Sequence, residues 1–166
     1  MSGGAQITVT IAGTAVAKGR PRVTRKGFVY TPAATRKYEA YGRLAAQEAM
    51  VDRAPLAVPV KAEITVDLPV PASWSLKRQA AALAGYVRPT SRPDTDNYVK
   101  AGLDAINGIV VADDCLVVEL AAEKRYARVP QLRIVVTPLP AAAAQAKNNA
   151  PMGRGDSAAS DLLERT

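Results

Sequence analysis

The chain has 166 residues, a formal net charge of +7 and no histidine. This length suits one domain, or one domain with a tail, and the basic balance favours a polyanion such as nucleic acid as partner. Without histidine, a histidine general base, a histidine-ligated zinc site and a Ser-His-Asp triad are excluded. A single cysteine excludes a disulfide within the chain, and we expect Cys115 to be a small buried side chain.

No signal peptide and no membrane-spanning stretch is evident. We therefore expect a cytoplasmic protein without a membrane partner, associated with the nucleoid when it binds DNA.

The first part of the chain combines a strand with a basic segment. Alternation of Ile7, Val9 and Ile11 with threonines predicts a half-buried strand within residues 6–16. Cations then mix with Gly, Pro and aromatic residues over 18–30, where Gly27 suggests a hairpin or a loop. Two interpretations stay open: a solvated basic loop, or an arm that binds DNA phosphates. The candidate DNA-binding residues here are Lys18, Arg20, Arg22, Arg25 and Lys26.

A helix is predicted from Thr31-Pro32, with Thr31 as N-cap and Pro32 as first helical residue, to about Val51. Its predicted buried face consists of Tyr38, Tyr41, Leu44, Ala45 and Ala49.

The remaining predicted elements follow in chain order. They are a strand over 60–68 with one wet face, a helix over 74–84 capped by Ser73 and closed by Gly85, a helix over 96–107 closed by Gly108, and strands over 116–126 and 131–137 that could pair as a hairpin. Trp74 is expected in the core. Residues 141–166 read as a mobile tail whose charges cancel, so the excess charge belongs to the folded part.

The stretch 92–100 contains two carboxylates, Asp94 and Asp96, near the start of a predicted helix, and a second acidic pair, Asp113-Asp114, follows that helix. Capping and turn formation explain such residues without any ligand. The combination with Arg92 before the pair and Lys100 one turn later favours a divalent cation site for Mg²⁺ or Mn²⁺.

Such a site suits metal-assisted phosphodiester hydrolysis. Lys100 would stabilise the charge that builds on the phosphoryl oxygens. No protein nucleophile is needed.

The stretch 92–108 followed by Asp113-Asp114 resembles the central pattern of the RusA family of Holliday-junction resolvases. Residues 18–22 with Tyr30-Thr31-Pro32 resemble the arm of many phage-type members, which favours a phage setting. The similarity covers roughly residues 6–138; the paired acidic motif is fairly specific and the arm alone is not.

The resemblance implies a homodimeric, Mg²⁺-dependent endonuclease of DNA recombination and repair, in which Mn²⁺ could substitute. It would cut four-way DNA junctions by paired symmetric nicks that leave 5′-phosphates. The family's metal ligands fall on Asp94, Asp96 and Asp114, with Asp113 beside them, and its essential lysine falls on Lys100. Arg92 joins the DNA-binding residues.

The implied fold is a small α/β (α+β) unit, a mixed sheet packed with about three helices. It would occupy residues 1–139, with a flexible tail over 140–166. Two other functions stay open: a nucleic-acid-binding module without catalysis, and a nuclease of looser specificity for branched DNA.

Overall fold

The computed structural model describes residues 5–19, 22–23, 25, 27, 29–30 and 32–140, and the predicted tail after Pro140 lies outside these residues. The fold is α+β, with a mixed four-stranded sheet and three helices, as predicted. None of the helices in these described ranges is long and apolar enough to cross a membrane. The elements are β1 (Ile7–Ala12), β2 (Arg22–Val23), β3 (Val29–Tyr30), α1 (Ala33–Ala49), β4 (Val60–Pro69), α2 (Leu76–Leu83), α3 (Thr95–Ile106), a 3-10 turn (Asp114–Leu116), β5 (Val117–Ala127) and β6 (Gln131–Pro138).

The four-stranded sheet has the order β1-β6-β4-β5. The predicted pairing of the last two strands as a hairpin is wrong, because β6 pairs antiparallel with β1 and β4, whereas β5 pairs parallel with β4. The reason is burial. Strand β6 alternates fully buried Leu132, Ile134 and Val136 and so occupies the interior of the sheet, whereas most of β5 is exposed and lies at the edge.

Helices α1 and α3 cover one face of the sheet and enclose the core. A Cβ added at Gly42 of α1 would lie 2.9 Å from the Ala105 Cβ of α3, so the two helices approach closely. This packing corrects part of the face predicted for α1. Tyr38, Ala45 and Ala49 pack against the core as predicted, whereas Tyr41 and Leu44 are 48% and 56% exposed, because only small groups fit between α1 and α3. The residues of α1 that are buried are Thr35, Gly42 and Ala46.

The start of α1 also differs from the prediction. Pro32 occupies the N-cap position, not the first helical position, and no side chain caps the helix there. The predicted cap Thr31 lies outside the described residues.

Helix α2 begins two residues later than predicted. Ser75, not Ser73, is the N-cap, and its hydroxyl accepts a hydrogen bond from the Arg78 backbone N–H at 3.4 Å. Trp74 is half-buried and does not belong to the core cluster. Its ring lies under the Arg78 guanidinium, 3.9 Å away, and edge-on to Tyr126.

The predicted glycine stops are confirmed. Gly85 and Gly108 follow α2 and α3 with positive φ, the conformation that ends a helix most readily at glycine.

Candidate active site

Two acidic residues mark the start of α3. Asp94 is in the N-cap position with extended backbone angles, φ −72° and ψ 153°, and Asp96 is in the first turn. The Asp94 carboxylate makes no capping hydrogen bond, so capping does not explain it. Both residues are exposed, and the helix N-terminus favours their negative charge. The start of α3 therefore presents two exposed carboxylates, one at the N-cap and one in the first turn.

Lys100 lies one turn further along α3. Its Nζ is 3.2 Å from Asp96 Oδ2, and both side chains are more than 60% exposed. An exposed pair at this spacing contributes only about 0.3–0.5 kcal/mol. The pair is weak enough for a bound cation or phosphate to replace it.

The loop that leads into α3 is fastened to the sheet by Lys124 of β5. The Lys124 Nζ donates to the carbonyl oxygens of Ser91, at 2.8 Å, and Pro93, at 3.0 Å. Pro93 directly precedes Asp94, so these two hydrogen bonds fix the position of the backbone from which the Asp94 side chain projects. Sequence reasoning missed Lys124. The available signal was a lysine on the side of β5 that otherwise carries Leu120, Ala122 and Tyr126.

The two residues of the second acidic pair, Asp113 and Asp114, differ in their contacts. Asp113 Oδ1 accepts a hydrogen bond from the Cys115 backbone N–H at 2.9 Å and caps the 3-10 turn; this bond holds the pKa of Asp113 below its ordinary value. Asp114 is exposed. Cys115 is exposed too, so its predicted burial is wrong: the turn reverses the chain at the surface. A hydrogen bond with Asp113 raises the pKa of the Cys115 thiol, which opposes thiolate chemistry.

The two acidic pairs lie at opposite ends of the β4–α3–β5 unit. Asp94 lies where the loop meets Lys124, towards the end of β5, whereas Asp113 and Asp114 precede the first residue of β5. Carboxylate oxygens are the ligands that Mg²⁺ prefers, so the donor chemistry fits this ion. Within the described ranges, however, one chain assembles no group of three or more acidic, Cys or His residues able to hold a metal.

The basic arm is described only in part. Lys18 forms an ion pair with Asp104 of α3, and its backbone N–H donates to the Asn97 carbonyl at 3.0 Å, so the arm starts from the surface of the acidic helix. Strands β2 and β3 pair antiparallel, which agrees with the hairpin, one of the two predicted alternatives. Arg25 and Arg92 are exposed. Arg20, Lys26 and the side chain of Arg22 lie outside the described residues.

Comparison with known proteins gives two matches. The family model described as "Endodeoxyribonuclease RusA" matches residues 12–137. The protein named "Uncharacterized protein YqaN" of Bacillus subtilis (strain 168) is 36% identical over 135 residues, which cover 78% of this chain and 94% of that protein. The family match spans most of the chain, including the start of α3 and the acidic turn. The chain therefore belongs to the RusA endodeoxyribonuclease family.

Proposed function

We propose that this protein is a Mg²⁺-dependent endonuclease that resolves four-way DNA junctions by paired symmetric nicks and acts on DNA in the cytoplasm during recombination and repair. The observation that carries the proposal is the pair of exposed carboxylates, Asp94 and Asp96, at the N-terminus of α3. The Asp94 carboxylate caps no backbone N–H group, and Lys100 lies one turn further along the helix. Membership of an endodeoxyribonuclease family supports cleavage of DNA by these residues.

Each residue has a defined task in this proposal. Asp94 and Asp96 would hold Mg²⁺ at the start of α3. Asp114, the third ligand that the resemblance implies, lies at the opposite end of the β4–α3–β5 unit and does not complete this group within one chain, and Asp113 caps the turn that carries it. The bound ion supplies an activated water and neutralises charge at the scissile phosphate. Lys100, released from Asp96, would turn its ammonium group to a phosphoryl oxygen and stabilise the charge that grows there in the transition state.

A homodimer suits the proposed substrate. A four-way junction has near two-fold symmetry, and an isologous dimer presents two copies of one site related by the same operation. The net charge of +7 would gather the crowded phosphates at the crossover, with exposed Arg92 two residues before the first carboxylate and the arm as a further contact. Shape would then dominate recognition over base sequence.

Two alternatives make different predictions. A module that binds nucleic acid without cutting it would use the aspartates as helix caps, and the unused Asp94 carboxylate argues against this. A nuclease of looser specificity would cut forks or flaps as readily as junctions. Cleavage of a four-way junction, a fork and a plain duplex, each with and without Mg²⁺, separates the three functions.

The assigned residues are tested by Asp94→Asn and Asp96→Asn. We expect each variant to bind a four-way junction with the affinity of the parent and to cleave it at least 100-fold more slowly in Mg²⁺, because an amide is a poorer ligand than a carboxylate. Asp104→Asn, on the same helix but paired with Lys18, is the matched control and should cleave normally. Cleavage at the parental rate by both first variants would overturn the assignment.

A further inference from the structure

The turn after α2 holds an exposed tyrosine in a fixed position. The Gly85 N–H donates to the Ala82 carbonyl at 3.1 Å, and the Tyr86 N–H donates to the Ala81 carbonyl at 2.9 Å. With positive φ at Gly85, these two bonds form a turn that commonly ends a helix. In that turn the residue at the position of Tyr86 frequently packs back on the helix, but Tyr86 is 86% exposed. Its backbone is therefore anchored, while its ring projects into water.

The segment around this tyrosine concentrates positive charge. Residues 68–93 contain no Asp or Glu and carry four cations, Lys77, Arg78, Arg88 and Arg92. All four are exposed. This one segment therefore supplies more than half of the net charge of +7 that the whole chain carries. Such a surface is complementary to a polyanion.

Aromatic contacts fix this basic segment against the sheet. The Arg78 guanidinium lies 3.9 Å from the centre of the Trp74 ring, and that ring meets Tyr126 of β5 edge-on, with their centres 5.2 Å apart. A planar guanidinium held in this way loses less freedom when it binds a phosphate than a free side chain does. The surface formed by α2 and the turn after it is therefore ordered before any ligand binds.

The same surface leads to the candidate active site. A cavity of about 130 Å³ lies between the end of α2 and β5, and its lining includes Arg88, Lys124 and the carboxylate of Glu123. Lys124 also holds the carbonyl that directly precedes Asp94. Tyr86 and Asp94 are eight positions apart, so they are separated by at most about 29 Å at 3.6 Å per residue. This span is shorter than one turn of duplex DNA, about 34 Å.

We propose that Tyr86 stacks on a nucleobase exposed at the branch point of the DNA substrate, and that Arg88 binds a phosphate beside it. The proposal rests on the nuclease function proposed above and names a substrate contact outside the acidic site. Where duplex arms meet, the continuous base stack is interrupted, so base faces that a plain duplex hides become accessible. Every base has such a face, so one aromatic ring recognises the branch and not its sequence.

Binding measured by fluorescence anisotropy without Mg²⁺ tests the stacking contact. We expect Tyr86→Ala to bind a four-way junction about 10-fold more weakly than the parent, because one base–aromatic stack is lost. Its affinity for a plain duplex should not change, and Tyr86→Trp should bind the junction as the parent does. Leu76→Ala, at an 84% exposed position on α2, removes an aliphatic side chain without a π face and is the matched control, with parental affinity.

The salt dependence of the same binding separates the ring from the cation. Tyr86→Ala should keep the parental slope of log affinity against log salt, because an uncharged ring releases no counterion. Arg88→Gln should lower that slope by about one, because one phosphate contact is lost. A junction with a fluorescent adenine analogue at the branch point reports stacking directly: its emission should be quenched by the parent and by Tyr86→Trp, but not by Tyr86→Ala.

Parental affinity of Tyr86→Ala for the junction, or equal losses of affinity for junction and duplex, would overturn the stacking contact. An equal loss in Leu76→Ala would also overturn it, because the effect would then not need an aromatic ring. Failure of the proposed nuclease function has a different signature, in which the parental protein leaves junctions, forks and duplex uncut in Mg²⁺. The binding measurements contain no Mg²⁺ and do not depend on cleavage.

Discussion

At the scale of single residues, two tyrosines on the helices that cover the sheet, Tyr38 of α1 and Tyr98 of α3, are shielded from water. Tyr38 packs against the core, and its hydroxyl is buried. The nearby Val16 backbone lowers the pKa of this phenol by less than burial raises it. Burial, with a smaller contribution from Tyr98, raises the pKa of Tyr38 to about 12. Desolvation also raises the pKa of Tyr98. Both phenols are therefore held neutral in the folded protein.

This burial predicts a loss of stability in strong alkali. Tyr38 in the folded chain retains its proton to higher pH than in the unfolded chain, so its contribution is complete below pH 10 and is lost as the pH rises towards 12. Two pKa units correspond to about 2–3 kcal/mol. We expect Tyr38→Phe to unfold in urea at nearly the parental midpoint at pH 7 and to lose less stability by pH 11.5. The exposed control Tyr41→Phe should follow the parent; equal alkaline losses in all three proteins would contradict this account.

Asp67 shows what a strand pattern does not reveal. Alternation places it on the wet face of β4, and yet it is buried to 2% exposure. Its carboxylate accepts hydrogen bonds from Arg125 Nε at 2.7 Å and Gln131 Nε2 at 2.9 Å, from the strands on either side. The bond to Asp67 raises the pKa of Arg125. A single strand cannot reveal this burial, because its partners lie more than 50 positions away and meet only in the sheet.

At the scale of elements, the position of the start of α3 depends on a residue of strand β5. Lys124→Met removes both hydrogen bonds to the loop before Asp94, at Ser91 and Pro93. Because Lys124 acts on the position of the carboxylate, we expect the cleavage rate constant to fall about 10-fold, which is about 1.4 kcal/mol, while junction affinity changes little. The reduced rate should recover partly at high Mg²⁺ concentration.

Two variants accompany this measurement. Lys124→Arg keeps a donor in place and should restore part of the rate. Lys61→Met removes a half-buried lysine that pairs with Glu63 on β4 and should cleave as the parent does. A loss of affinity equal to the loss of rate would instead assign Lys124 to DNA binding.

At the scale of the whole molecule, the net charge of +7 predicts DNA binding that depends strongly on salt. If about six phosphates are contacted, junction affinity without Mg²⁺ should fall by about 1,000-fold between 50 and 200 mM NaCl, because bound counterions are released from the DNA. Fluorescence anisotropy measures this directly. Arg92→Gln should lower the slope of log affinity against log salt by about one, whereas Arg53→Gln, in the connector before β4, should not. An affinity that does not respond to salt would contradict this electrostatic account.

The sequence by itself determined most of the elements and the local arrangement of the candidate site residues. Apolar alternation predicted β1 and β4 because a half-buried strand needs a two-residue period, and the arrangement of Asp94, Asp96 and Lys100 was local enough to place on one helix. Glycine after α2 and α3 marked their ends, since few other residues adopt positive φ there.

Only the tertiary structure decided the order of the strands, the buried face of α1 and the support of the site by Lys124. These features depend on contacts between residues distant along the chain. The inner face of α1 is set by the close approach of Gly42 to Ala105, and the edge position of β5 by the greater burial of β6. Local patterns describe how one segment meets water, but they do not say which other segment replaces that water.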